Sequence, residues 1–225
     1  MGLFEETSSG PALPQCPAQG LTLLPRFAAP MLAQLCVDLE AVVAAAPVRR
    51  MVTRSGFTMS VAMTNCGNLG WVSDRRGYRY AATDPDSEKP WPAIPASFRT
   101  LATGAAAAAG FASFEPDACL VNRYEPGARM SLHQDHNEHD LTQPIVSVSL
   151  GVPATFLFGG LERTAKPLRL RLVHGDVVVW GGAARLNFHG VGPLAQDWHE
   201  SFGAQRINLT FRKAGGEDNA CDRRQ

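Results

Sequence analysis

The chain has 225 residues, 45% of them hydrophobic and 19% charged, with 21 basic residues balancing 21 acidic ones. That length suits one domain with a full core, and no apolar run approaches the roughly 20 residues of a membrane-spanning helix. The neutral balance gives no global field to announce a nucleic-acid partner, and five scattered cysteines without a CxxC argue for a reducing cytoplasm and against a disulfide or zinc-ribbon framework.

Residues 1–20 are rich in Pro, Gly and Ser and carry acids where a secretory signal would carry basic residues, so a flexible tail is expected there, with a second at 214–225. Pro30 can open a helix, and Leu32, Leu35, Leu39 and Val42/Val43 then share one side until Pro47 ends it. FTMSVAM (57–63) reads as a strand and 84–95 as a long Pro-rich loop. A second helix is predicted across PASFRTLATGAAAAAG, with Gly110 as its stop. Two local basic clusters break the neutrality: Arg49, Arg50 and Arg54, then Arg75, Arg76 and Arg79.

Beyond residue 117 the pattern changes. ACLVNRY, IVSVSLG, ATFLFG, LRLRLV, DVVVWG, RLNFHGV and INLTFR are short strand-like runs separated by Gly, Pro and Asp. Together they predict a mainly β, α+β fold: a double-stranded β-helix (jelly roll) with the N-terminal helices covering one sheet. The expected organisation is a single domain over 21–213, with helical support and a lid at about 21–115 and the jelly-roll core at 116–213.

In LHQDHNEHDL (132–141) the spacing selects among three histidines and three acids. An extended backbone turns His133 and Asp135 to one face and Gln134 and His136 to the other, a ready two-ligand clip. The candidates for a third ligand are His174 and His189. His174 precedes Gly175-Asp176 and reads as a turn residue, whereas His189 ends a strand-like run and is followed by Gly190, which permits close backbone approach. Two histidines and one carboxylate make the facial set of non-haem Fe(II) oxygenases, with positions left open for a co-substrate and oxygen. His136, Glu138, His139 and Asp140 fall to loop and surface on this reading.

RINLTFR (206–212) places Arg206, Asn208, Thr210 and Arg212 on one face and Ile207, Leu209 and Phe211 on the other. Arginines lining a β cavity need an anionic partner, because an unpaired buried guanidinium is costly. A dicarboxylate would supply one through bidentate pairing. An extended strand of this length spans about 20 Å, so the two arginines are expected at different ends of the site.

LVNRYEPGARMSLHQD, IVSVSLG, HGDVVVWGG, FHGV and RINLTFR, with MVTRSGFTMSVAMTNCGNLGW upstream, resemble the AlkB family of Fe(II)/2-oxoglutarate-dependent nucleic-acid dealkylases. The likeness runs from about Leu24 to Arg212, and its RxNxTxR motif is more specific than the metal set. It implies Fe(II) on His133, Asp135 and His189, with 2-oxoglutarate and O2 as co-substrates. The distal carboxylate would meet Arg206, with Asn122, Arg123, Tyr124 and Asn208 positioning the co-substrate. Arg212 would lie toward the proximal carboxylate and Asp135. The implied reaction is oxidative demethylation of bases such as 1-methyladenine and 3-methylcytosine, releasing formaldehyde. The implied partners are alkylated single- or double-stranded DNA and RNA, met by a cytoplasmic monomer.

For the base, the resemblance implies stacking on Trp71 with the His133 ring beneath it. It assigns Tyr78, Arg79 and Tyr80 to backbone and co-substrate contacts, Arg163 to the substrate side, and Thr53 to phosphate. A base must be flipped or single-stranded to enter such a site. Bacterial members carry an aspartate where this chain has Asn137, which implies a weaker preference for cationic lesions. An oxygenase acting on protein or small molecules would have no use for the Trp71–Tyr80 aromatic and basic cluster. A non-catalytic single-strand binder would have no use for the metal residues or RxNxTxR.

Overall fold

The computed structural model describes residues 13–215. Its strands are β1 (Gln15–Ala18), β2 (Leu21–Leu24), β3 (Ala62–Gly67), β4 (Gly70–Asp74), β5 (Gly77–Ala81), β6 (Ala118–Tyr124), β7 (Met130–His133), β8 (Ile145–Gly151), β9 (Ala154–Phe158), β10 (Leu168–Leu172), β11 (Val177–Trp180), β12 (His189–Val191) and β13 (Arg206–Arg212). The helices are α1 (Leu32–Ala45) and α2 (Ala96–Ala108). A seven-stranded sheet runs β1-β2-β11-β8-β13-β6-β3, a four-stranded sheet runs β10-β9-β12-β7, and β4-β5 forms a separate hairpin. Every pairing of these strands is antiparallel.

The period-two pattern of the central strands explains the layers. Val177 and Val179 of β11 and Ile207, Leu209 and Phe211 of β13 pack in one core with Leu35, Leu39 and Val42 of α1 and Phe98, Leu101 and Ala105 of α2. Val178 and Trp180 turn the other way and meet Phe156 and Phe158 of the smaller sheet in a second core. The larger sheet is therefore covered on both faces, which is why its strands read as near-continuous apolar runs. Burying each large aliphatic or aromatic side chain contributes about 1.5–3 kcal/mol. The helices thus cover one sheet, as the sequence predicts, and the space between the two sheets is left for the site.

Local chemistry accounts for the helix ends. Pro30 sits in a 3-10 turn, Ala29–Met31, that leads into α1. α2 follows Pro95, and the chain leaves it through Gly110 at φ +92°. Among the described residues, no helix is long and apolar enough to cross a membrane.

Several boundaries differ from the sequence reading. The expected tail 1–20 contains β1, which pairs with β2, while residues 1–12 lie outside the described residues. At the other end, Ala214 and Gly215 donate backbone N–H bonds to the Asp117 carboxylate; residues 216–225 lie outside the described residues. FTMSVAM does not form a strand from Phe57, because only residues from Ala62 onward find a partner on β6. Thr53–Phe57 instead closes a turn with Gly56 at φ +87°. RLNFHGV is extended only from His189, preceded by a 3-10 turn at Gly182–Ala184.

Candidate metal centre and its cleft

Two strand ends make the centre. His133 closes β7, His189 opens β12, and the pair stand opposite each other in register. The strands approach closely here because residue 190 is glycine: a Cβ there would lie 2.6 Å from the Met130 carbonyl oxygen. Asp135 follows β7 by two residues and brings its carboxylate to both rings, 3.6 Å from His133 Nε2 and 3.7 Å from His189 Nε2. Ligand atoms of His133, Asp135 and His189 all lie within 4.8 Å of one another.

The hydrogen bonds suit these residues to a metal. His133 Nδ1 donates to the Ser131 carbonyl at 2.9 Å and His189 Nδ1 to the Asn187 carbonyl at 3.1 Å. Each ring therefore keeps its Nε2 lone pair for a cation. Burial, with His133 adding to it, lowers the His189 pKa to about 3, so the imidazole is neutral at physiological pH. Burial pushes the Asp135 carboxyl up, but the Arg212 guanidinium and the two imidazoles hold it below the usual range. Arg212 makes that contact through Nε at 2.7 Å and Nη2 at 2.5 Å, both to Oδ2. A neutral His189 imidazole, a His133 ring turned so that its Nε2 is free, and one ionised carboxylate fit a divalent cation.

A cavity of about 900 Å³ opens beside this centre. The polar face of β13 forms its floor, and the seven-residue β6–β13 ladder brings Asn122 and Tyr124 alongside Asn208 and Arg206. Asn122 donates to Asn208, and Asn208 donates to Ser147 Oγ at 2.7 Å. Arg206 is 1% exposed. Its Nη2 donates to Ser149 Oγ at 2.8 Å and its guanidinium lies 5.1 Å from the Tyr124 ring centre. Among the described residues, Arg206 Nε and Nη1 have no hydrogen-bond partner. A buried guanidinium with two idle donors is a receptor for an oxyanion, and a carboxylate matches it.

The roof comes from outside both sheets. Trp71 of β4 and Tyr78 of β5 stack at 5.5 Å with an interplanar angle of 18°, and both line the cavity. Asn65 fixes the hairpin by bonding the Trp71 N–H and carbonyl, each at 3.0 Å. Thr53, Asn137 and Arg163 lie at the same cavity.

Most of the expected site residues thus meet in one place, but some do not. Arg123 points away from Asn122 and Tyr124, as strand alternation requires, toward Glu125, and does not line the cavity. Arg79 is turned to Asp74, which it holds at 2.7 and 3.0 Å. Tyr80 does not line the cavity; its hydroxyl donates to Glu138 at 2.6 Å. The basic clusters are largely neutralised: Arg49 pairs with Asp84 and Asp86, Arg50 with Glu125, and Arg76 with Asp74. His174 is a turn residue, accepting from the Gly151 N–H and lying against His199.

Glu138 corrects the surface assignment. It is buried, lines the cavity, and accepts from Tyr80 and from buried Arg185 at 3.0 Å. Ser147, Ser149 and Arg185 were also missed. The serines occupy the period-two face of IVSVSLG and were legible there; nothing in the sequence marks Glu138 or Arg185.

The sequence matches the family described as the 2OG-Fe(II) oxygenase superfamily over residues 20–212. It is 56% identical over 201 residues to proteins named alpha-ketoglutarate-dependent dioxygenase AlkB from Salmonella typhimurium and Escherichia coli, covering 89% of this chain and 93% of each relative. Among solved structures, that of OsALKBH1 superposes with a TM-score of 0.76 at 28% identity, covering 89% of this chain and 99% of that one.

Proposed function

The chain belongs to the 2OG-Fe(II) oxygenase superfamily and, within it, to the AlkB dioxygenases, and we propose that it repairs N-alkylated bases such as 1-methyladenine and 3-methylcytosine in DNA and RNA by oxidative demethylation. One conjunction carries this reading. A cation-ready His133–Asp135–His189 set and a buried arginine with two idle donors share a single cavity that opens beneath the Trp71–Tyr78 stack.

When Fe(II), 2-oxoglutarate and O2 are bound, they supply hydroxylation of the alkyl carbon, with succinate and carbon dioxide as co-products. The protein's residues do the rest. His133, Asp135 and His189 would hold the iron, with Arg212 fixing the rotation of the Asp135 carboxylate. Arg206 would take the distal carboxylate of 2-oxoglutarate beside Tyr124 and Ser149, with Asn122 and Asn208 setting its orientation. Trp71 and the open face of the His133 ring flank the target base, and Tyr78 braces Trp71 by stacking on it. Thr53, Asn137 and Arg163 meet the nucleotide at the cavity mouth. The aromatic roof excludes water from the alkyl group. After hydroxylation the N–CH2OH group breaks down to formaldehyde and the unmodified base.

The base enters flipped from a duplex or from a single strand, since a stacked base cannot reach between Trp71 and His133. We further propose a cytoplasmic monomer with a single catalytic domain, in keeping with the four free cysteines among the described residues. The test is release of formaldehyde and succinate from a 3-methylcytosine oligonucleotide, with and without iron and 2-oxoglutarate. Both products are expected only when both are supplied. No turnover by reconstituted, oxygen-supplied protein would overturn the reading.

A further inference from the structure

Asp135 lies on a segment, 134–144, that forms neither strand nor helix. The contacts that hold it therefore decide where its carboxylate points. A single side chain from another part of the chain reaches three points along it. Arg185 donates from Nη1 to the Asp135 carbonyl at 2.8 Å, from Nη2 to the Glu138 carboxylate at 3.0 Å, and from Nε to the Gln143 carbonyl at 2.9 Å. Those three points are the start, middle and end of the segment.

The Arg185–Glu138 pair is buried, with side chains 3% and 2% exposed. A buried ion pair adds little stability over well-packed apolar residues of the same volume, so what it supplies here is geometry. Arg185 does not line the cavity and touches neither metal ligand atoms nor co-substrate floor. It lies four residues before His189, directly after the Gly182–Ala184 turn. The stretch that delivers one metal ligand thus also grips the segment that delivers another.

We infer that Arg185, seconded by Glu138, is a positioning residue for the metal centre: it locks the distance between Asp135 and His189 before any metal arrives. The planar fork of the guanidinium is essential to this, because lysine cannot address three acceptors in fixed directions. The inference rests on the reading of His133, Asp135 and His189 as a metal site.

The test uses the metal alone. Apo protein, full chain, is titrated with Co(II), following the visible absorption of the bound ion, for wild type, Arg185→Lys and Glu138→Gln. Residues that orient ligands without binding the metal typically change its affinity by about 10–100-fold. Arg185→Lys is expected to weaken Co(II) binding about tenfold and alter the absorption envelope, while the apo melting temperature stays near that of wild type. A folded Arg185→Lys protein that binds Co(II) within twofold of wild type, with the same spectrum, overturns the inference. If Arg185→Lys does not fold, Glu138→Gln, which keeps the shape and removes the charge, decides: about threefold weaker binding supports the inference and wild-type binding overturns it. Wild-type protein that binds no Co(II) overturns the metal-site reading and the inference with it. Equal binding by all three proteins overturns the inference alone.

Discussion

On β13, Arg206, Asn208, Thr210 and Arg212 are buried: Arg206 and Asn208 bond serines of β8, Thr210 bonds Asn208, and Arg212 bonds Asp135; on the β4–β5 hairpin, Trp71 is partly open and Tyr78 is 50% exposed. The floor strand has a hydrogen-bonded neighbour on both sides, β6 and β8. The hairpin's two strands pair with each other alone among the described strands, tied down by Asn65, by the Ser73 hydroxyl on the Val52 carbonyl, by Trp91 on the Ala81 carbonyl and by Tyr80 on Glu138. Groups that must meet a small co-substrate in fixed geometry sit where packing leaves them no freedom. Groups that must admit a base attached to a polymer sit where few contacts have to break. The same cavity is thus rigid on the side of the chemistry and adaptable on the side of recognition.

If that division is real, changes in the floor should abolish turnover yet spare oligonucleotide binding. The largest effect is expected from Asp135→Ala, which removes a proposed metal ligand and leaves Arg212 only its longer contact to Glu138, at 3.6 Å. Formaldehyde release should fall by more than the about 10–100-fold typical of losing a residue that only orients a ligand. Binding of a methylated oligonucleotide, followed by fluorescence anisotropy, should stay within a few-fold of wild type. A parallel collapse of binding would merge the two regions and break the comparison.

Arg206→Ala is expected to come next. A hydrogen bond to a charged group is worth about 1.5–3 kcal/mol, so the KM for 2-oxoglutarate should rise about 10- to 100-fold. The KM for the oligonucleotide should hardly move. An unchanged KM for 2-oxoglutarate would remove Arg206 from the co-substrate site.

Trp71→Ala is the reciprocal change on the roof. Base–aromatic stacking contributes about 1–3 kcal/mol per base, so the oligonucleotide KM should rise roughly 5- to 150-fold. Succinate formation in the absence of nucleic acid should be preserved. Loss of that uncoupled activity would mean that the hairpin also shapes the floor.

The two regions were also unequally legible in the sequence. On the floor, alternation in RINLTFR and NRY separates cavity-facing residues from core-facing ones, and it is what sends Arg123 away from the site. The resemblance added the role of Arg206, and its two idle donors fit that role. For the roof, composition indicated an aromatic and basic mixture but not its wiring. Arg76 and Arg79 are consumed by Asp74 within the hairpin, and Tyr80 by Glu138. Glu138 and Arg185 were illegible for a different reason. They meet across 47 residues of chain, and an isolated glutamate in a polar loop looks the same whether it faces water or a buried guanidinium.

The smallest effect belongs to Asn137, which lies on an exposed part of the metal segment and lines the cavity mouth. An asparagine can bond the edge of a base but brings no charge to a cationic lesion. Restoring a carboxylate with Asn137→Asp should favour 3-methylcytosine over neutral 3-methylthymine. Ion pairs at exposed positions contribute about 0.2–1 kcal/mol after solvent screening, so the ratio of the two rates should shift by about 1.4- to fivefold, and less at high salt. Because the side chain is open to solvent, the change should leave Co(II) affinity and the melting temperature alone. That separates it from any variant of the floor. An unchanged rate ratio would show that the charge of the lesion is read elsewhere, with Glu138 and its two arginine neighbours the next place to look.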